Sequence, residues 1–191
     1  MQRDADTPST FFENGLEHLV PLKHSEMDKW RDSLHQGLKA RFGDTNIILT
    51  GGIDDIWQNT ENSKLVIANY KSQANIKRFD PETYLSDPYY EGYKIQMDFY
   101  AYLLQQMGFD VEGTAYFMVC NADRQADGFA GQMRFSETLI FYHWNSDLIH
   151  GQVEEMIHLM NSNHMPDAHP SCKNCAYVKA SLDFLSSNKT P

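Results

Sequence analysis

The sequence predicts an α/β protein: a mixed central β-sheet flanked by helices. Three observations carry this. The apolar, β-rich runs "NIILTGGIDDIW" and "KLVIANYKS" are separated by the turn-forming "NTENS". That pattern predicts a hairpin of Asn46–Trp57 with Leu65–Ser72. "YKIQMDFYAYLLQQMGF" sets Tyr93, Met97, Tyr100, Leu104 and Met107 at alternating spacings of four and three, a helical stripe stopped by Gly108. The following "VEGTAYFMVCNA" is too uniformly apolar for a half-exposed strand, so it belongs in the middle of a sheet.

The remaining elements follow in order. Residues 1 to about 12 are polar, carry Pro8 and show no periodicity, so a flexible start is expected. "HSEMDKWRDSLHQGLKARFG" reads as a helix through Met27, Trp30, Leu34 and Leu38, stopped by Gly43. Gly51-Gly52 inside the first strand predicts a bulge or a close backbone approach. "ANIKRFDPETYLSDPYYEG" is read as loop, broken by Pro81 and Pro88. "GQMRFSETLIFYHW" reads as an edge strand. "SDLIHGQVEEMIHLMNS" reads as an amphipathic helix, with a tail from Asn163 onward. A tight turn makes the first two strands antiparallel, and the helical crossover makes the next one parallel.

Composition narrows the classes. The 191 residues are 41% hydrophobic and 13% aromatic, enough for one packed domain and outside the disordered class. No apolar run approaches the ~20 residues that span a bilayer, and the start lacks the apolar core of a signal peptide. A cytoplasmic protein with no membrane partner is expected. The net charge of −10 excludes a protein that coats nucleic acid through an overall basic surface. It leaves room for a local basic rim around an acidic metal site. Three cysteines are too few for a disulfide framework. Cys120 reads as a core or sub-surface thiol.

Three pieces carry chemistry. "GGID" puts Asp54 beside glycines on an apolar strand. "NYK" puts Asn69 and Lys71 on one face of its neighbour, because strand side chains alternate. "QMDFY" puts Gln96 and Tyr100 one helical turn apart. A buried strand rarely carries an acid and a lysine unless they are paired or bind something. Acids on adjacent strands hold Mg²⁺ through oxygen, and a nearby lysine stabilises charge on a phosphate. The backbone carbonyl of Tyr70 can complete the metal's shell. A structural polar cluster without function is the competing reading of these residues.

The segments "GGIDDIW", "LVIANYKS", "YKIQMDFYAYLL", "AYFMVCN" and "CKNCAY", in this order, resemble the PD-(D/E)XK nuclease superfamily, specifically its RecB-like branch, over roughly residues 46–180. The resemblance implies a restriction-endonuclease-like core over 46–162, after a helical or flexible segment 1–45 and before a C-terminal tail 163–191. It implies Mg²⁺ or Mn²⁺ as cofactor, phosphodiester hydrolysis, and nucleic acid as partner, with DNA favoured over RNA. It assigns metal ligation to Asp54 and to the position of Asn69. It assigns Lys71 to the reacting phosphate, and Gln96 and Tyr100 to positioning the phosphate or the lysine.

Two departures stand out. Asn69 occupies the place of a carboxylate; a neutral amide offers one carbonyl oxygen, so metal binding weakens and activity is reduced or lost. Natural degeneration and an inactivating substitution both account for it. A catalytically inactive module of the same fold, binding nucleic acid or a protein, is the alternative. The second departure is the C-x-x-C of Cys172 and Cys175. The family's zinc or iron–sulfur site also uses cysteines upstream of the core, and this sequence has none there; a start trimmed of a preceding segment would explain that. A Cys₂His₂ zinc site with His164 or His169 lacks the usual spacing, and an unmetallated thiol pair is the default.

Other candidates carry less. Asp55 faces away from Asp54 and is read as a surface or capping carboxylate. Gln96 and Tyr100 also fit plain helix packing. Lys94 reads as a solvated helix lysine rather than a phosphate contact. Lys77 and Arg78 are either rim or ordinary surface. His18 is read as a surface histidine before a metal ligand.

Overall fold

The computed structural model describes residues 15–75, 80–125, 128 and 131–187. The polar start and the pair Lys77 and Arg78 lie outside the described residues. The chain divides into two compact units, residues 1–149 and 150–191.

The first unit runs β1 (Leu19–Pro21), α1 (Met27–Arg31), β2 (Leu38–Arg41), β3 (Ile48–Gly51), β4 (Asp55–Asn59), β5 (Leu65–Gln73), α2 (Glu91–Gln106), β6 (Thr114–Ala122) and β7 (Phe135–His143). Short 3₁₀ turns at Tyr84–Ser86 and Pro88–Tyr90 lead into α2. Among the described residues, five strands form the main sheet in the order β1-β4-β5-β6-β7, and β2 pairs with β3 in a two-stranded sheet. The β5–β6 pair is parallel, and the other pairs are antiparallel. This is the expected α/β architecture, with β5 and β6 central and β7 at the edge.

Alternation along β5 sorts its side chains between two cores. Leu65 and Ile67 join Ile56, Phe117, Met97, Tyr100 and Leu104 on the face covered by α2. Val66 and Ala68 join Leu19 and Trp57 on the other. Each large apolar side chain buried here contributes about 1.5–3 kcal/mol, which pins the register of β5. Asn69, Lys71 and Gln73 continue the α2 face.

Two local expectations need correction. The helix expected through residues 24–43 stops at Arg31. The Asp32 carboxylate accepts from the backbone N–H groups of Leu34 and His35, a local competitor of the helical ladder. Gly37 then adopts φ +72°, and Leu38–Arg41 extends as β2 against Ile48–Gly51. Leu34, placed on the helical stripe, is 85% exposed.

The strand expected across Asn46–Trp57 is two strands in two sheets, broken at Gly52-Ile53-Asp54. A Cβ on Gly52 would lie 2.3 Å from that of Ser33, so only glycine fits this close passage. The tail contains a helix, α4 (Lys173–Ser187), in the second unit. The preceding helix, α3 (Asp147–Met160), begins in the last residues of the first unit and ends within the second. None of the described helices is long and apolar enough to cross a membrane.

Candidate active site

The break between β3 and β4 builds one side of the site. Asp54 lies in the break rather than on a strand, and its side chain is exposed. β4 pairs with β5 only as far as Asp55 opposite Ala68. Two residues beyond Ala68, the N–H of Tyr70 donates instead to Asp54 Oδ2 at 2.8 Å. The carboxylate thus takes over where the ladder ends, and Asp54 is held against the stretch of β5 that carries Asn69 and Lys71. On the backbone side, Arg31 Nε donates to the Asp54 carbonyl at 3.1 Å.

Lys71 heads a relay of hydrogen bonds. Its Nζ donates to Gln96 Oε1 at 2.8 Å, and Gln96 Nε2 donates to the Tyr100 hydroxyl at 2.7 Å. Tyr100 donates to the Gly52 carbonyl at 2.5 Å. The helical spacing of Gln96 and Tyr100 allows this, and the chain closes on the same glycine break that carries Asp54. Burial raises the Tyr100 hydroxyl above the ordinary tyrosine range, opposed by the Gln96 contact and reinforced by Asp54. It therefore remains a donor. Burial likewise pushes the Lys71 ammonium below the ordinary lysine range, with Asp54 opposing the shift. The Tyr93 ring lies 4.1 Å below the ammonium and compensates part of the lost hydration.

Asn69 is the anomaly. It is 1% exposed, and neither Oδ1 nor Nδ2 has a hydrogen-bond partner among the described residues. Each such buried group costs about 1–3 kcal/mol. Buried polar groups without partners are rare in native folds, so this position calls for a physical explanation. The oxygen donors on this face suit Mg²⁺ in kind. In charge they fall short, since Asp54 supplies a carboxylate and Asn69 only an amide.

The opposite face corrects the reading of Asp55. Asp55 is 2% exposed. Arg31 Nη2 donates to its Oδ1 at 2.6 Å, and the Tyr70 hydroxyl donates to Oδ2 at 3.0 Å. It is a buried, paired carboxylate rather than a surface one. Adjacent acids thus divide the work: Asp55 anchors the start of β4 and Asp54 faces the site.

The other candidates are dispersed. Lys94 pairs with Glu91 at 2.5 Å on its own helix. His18 lies at the far end of β4, where its carbonyl accepts from Thr60 N–H at 2.8 Å. Cys120 is half-buried on β6, and burial raises its thiol. In the second unit, Cys172 and Cys175 open α4, with Cys175 N–H 3.4 Å from Cys172 Sγ. His169 bonds Ser171, and the N–H of His164 donates to Ser162 Oγ. No group of three or more His, Cys, Asp or Glu side chains suited to a metal occurs among the described residues. Sequence reasoning missed Tyr93 and the Gly52 carbonyl. The apolar stripe contained Tyr93, but nothing local signalled that a lysine would rest on it.

A mixed sheet with a parallel central pair, a crossover helix and a polar site where β4 leaves β5 defines the restriction-endonuclease-like α/β fold. The family model of the PD-(D/E)XK nuclease superfamily matches residues 4–180, and the chain belongs to that superfamily. No curated protein and no solved structure gives a match to the chain.

Proposed function

We propose that this chain carries a RecB-like nuclease site for DNA, dependent on Mg²⁺ or Mn²⁺, with turnover reduced or abolished by Asn69. The observation that carries this reading is the buried Asn69 amide, unpartnered beside Lys71 and the Asp54 loop. Asp54 and Asn69 Oδ1, with the Tyr70 carbonyl, would hold the ion. When bound, the ion would polarise the phosphate and lower the pKa of a coordinated water. Lys71, fixed by Gln96, stabilises negative charge on the phosphate. Tyr100 keeps Gln96 in the orientation that presents its oxygen to Lys71.

The same residue favours a second reading. Asn69 Nδ2 and Lys71 Nζ are both donors on one face, a pair suited to a phosphate oxygen without any metal. In that case the domain is an inactive nucleic-acid-binding module.

The test is cleavage of single- and double-stranded DNA and RNA with Mg²⁺ or Mn²⁺, by this chain and by Asn69→Asp. Restored carboxylate chemistry gives cleavage by the variant well above that of the parent. A folded Asn69→Asp protein inert on every substrate overturns the nuclease reading and leaves the binding module.

A further inference from the structure

Four tyrosines form a continuous aromatic shelf that starts at the lysine. Lys71 Nζ lies over Tyr93. The Tyr93 ring centroid is 5.4 Å from that of Tyr90, and Tyr90 stacks on Tyr84 at 4.1 Å. Tyr89 stands edge-on to Tyr90 at 5.2 Å and reaches Tyr93 at 6.5 Å. Tyr84 is buried and donates to Gln73 Oε1 at 3.1 Å, which fixes the base of the shelf to the same face of β5. Tyr89 is 76% exposed. Its backbone is nonetheless held in place: its N–H donates to Asp87 Oδ1 at 2.8 Å, and Pro88 opens the turn. A large ring is thus presented to solvent on a rigid support, one ring away from the ammonium.

We propose that this shelf is a stacking platform for single-stranded nucleic acid. Tyr89 takes the face of a nucleobase while Lys71 takes a neighbouring phosphate. The inference rests on the nucleic-acid reading of the Lys71 site. An unpaired strand is required, because bases inside a duplex have no free face to offer a tyrosine. The charge around the shelf supports stacking as the main attraction. Asp87 and Glu91 flank Tyr89, and Glu91 already engages Lys94. Among the described residues, Lys71 is the cation whose contact with the shelf is seen. The phosphate contact at Lys71 contributes a logarithmic salt slope of about −0.7.

The experiment is fluorescence anisotropy of the full chain in EDTA. One labelled probe is an oligothymidylate strand; the other is an abasic strand of equal length. The base-bearing strand binds more tightly. Tyr89→Ala removes that preference, weakening the base-bearing strand roughly 5- to 150-fold, while Tyr89→Trp keeps it. Because Tyr89 is largely exposed, both variants should fold as the parent does. Equal binding of both strands by the parent, absence of binding to either, or an undiminished preference in Tyr89→Ala overturns the proposal. Cleavage by Asn69→Asp reads the other proposal separately. Base-selective, Tyr89-dependent binding without cleavage removes the nuclease and keeps the platform; cleavage without base selectivity does the reverse.

Discussion

Lys71 donates to Gln96 across 2.8 Å, and this contact ties the central strand β5 to the crossover helix α2 at the site. Gln96 has two functions in one amide, accepting from the lysine and donating to Tyr100. Gln96→Ala leaves the half-buried ammonium with the Tyr93 ring and loses the hold on Tyr100. The expected cost is about 1.5–3 kcal/mol, the range for a hydrogen bond to a charged group. Urea unfolding of parent and variant measures it. A difference below about 0.5 kcal/mol would show that the relay contributes nothing to the fold.

The neighbouring acids should separate stability from site chemistry. Asp55→Ala removes a carboxylate that accepts from the part-exposed Arg31 and from the Tyr70 hydroxyl, and costs about 2–3 kcal/mol, the upper range for hydrogen bonds to a charged group. Asp54→Ala removes an exposed carboxylate that caps the Tyr70 N–H, so its stability cost is small, about 1 kcal/mol. Paired denaturation curves decide this. Equal losses for the two variants would contradict the division of labour between them.

Asn69→Asp should couple stability to metal. In EDTA the new carboxylate is buried near Asp54, and the variant melts below the parent. Mg²⁺ or Mn²⁺ that binds only the folded state restores stability, by about 2.7 kcal/mol at a hundredfold excess over Kd. The parent, with its neutral amide, gains less at the same concentration. Thermal melts across a metal titration measure both. Identical shifts in the two proteins would mean that position 69 does not face the ion.

Asp98 gives a pH signature remote from the lysine. Burial raises its carboxyl above the ordinary aspartate range, partly offset by the Asn145 N–H and the Tyr142 hydroxyl. With the folded value above the unfolded one, the stabilising contribution is complete below about pH 4. It is lost as pH rises through the folded value. Asp98→Asn keeps an acceptor oxygen and carries no charge to desolvate. It should melt higher than the parent near neutral pH, with the advantage shrinking toward about pH 4. An advantage that does not change with pH would rule out the carboxylate's burial as its source.

Local spacing in the chain was enough to place several side chains of the candidate site. Asn69 and Lys71 share a face because strand residues alternate. Gln96 and Tyr100 share one because helix residues four apart align. Both rules act over a few residues, so both are readable without knowing what lies opposite. The hairpin, the crossover helix and the central strand β6 follow from the same short-range logic, and together they define the α/β class.

What the sequence by itself determined, then, is the α/β class and the pattern of residue types: a lysine two positions after an amide, and a glutamine four before a tyrosine. Only the tertiary structure decided the rest, because the partners are distant in the chain. Leu38–Arg41 is a strand because β3 is there to pair with it, although its local pattern reads as helix. Gly52 breaks the following strand because Ser33 lies against it. Asp55 is buried because Arg31 and Tyr70 arrive from other elements to satisfy it. Tyr93 becomes a support for Lys71 only once α2 packs on β5. A charge or an amide has a cost in isolation; whether it is satisfied depends on what the fold brings to it. At Asn69 no described protein group arrives.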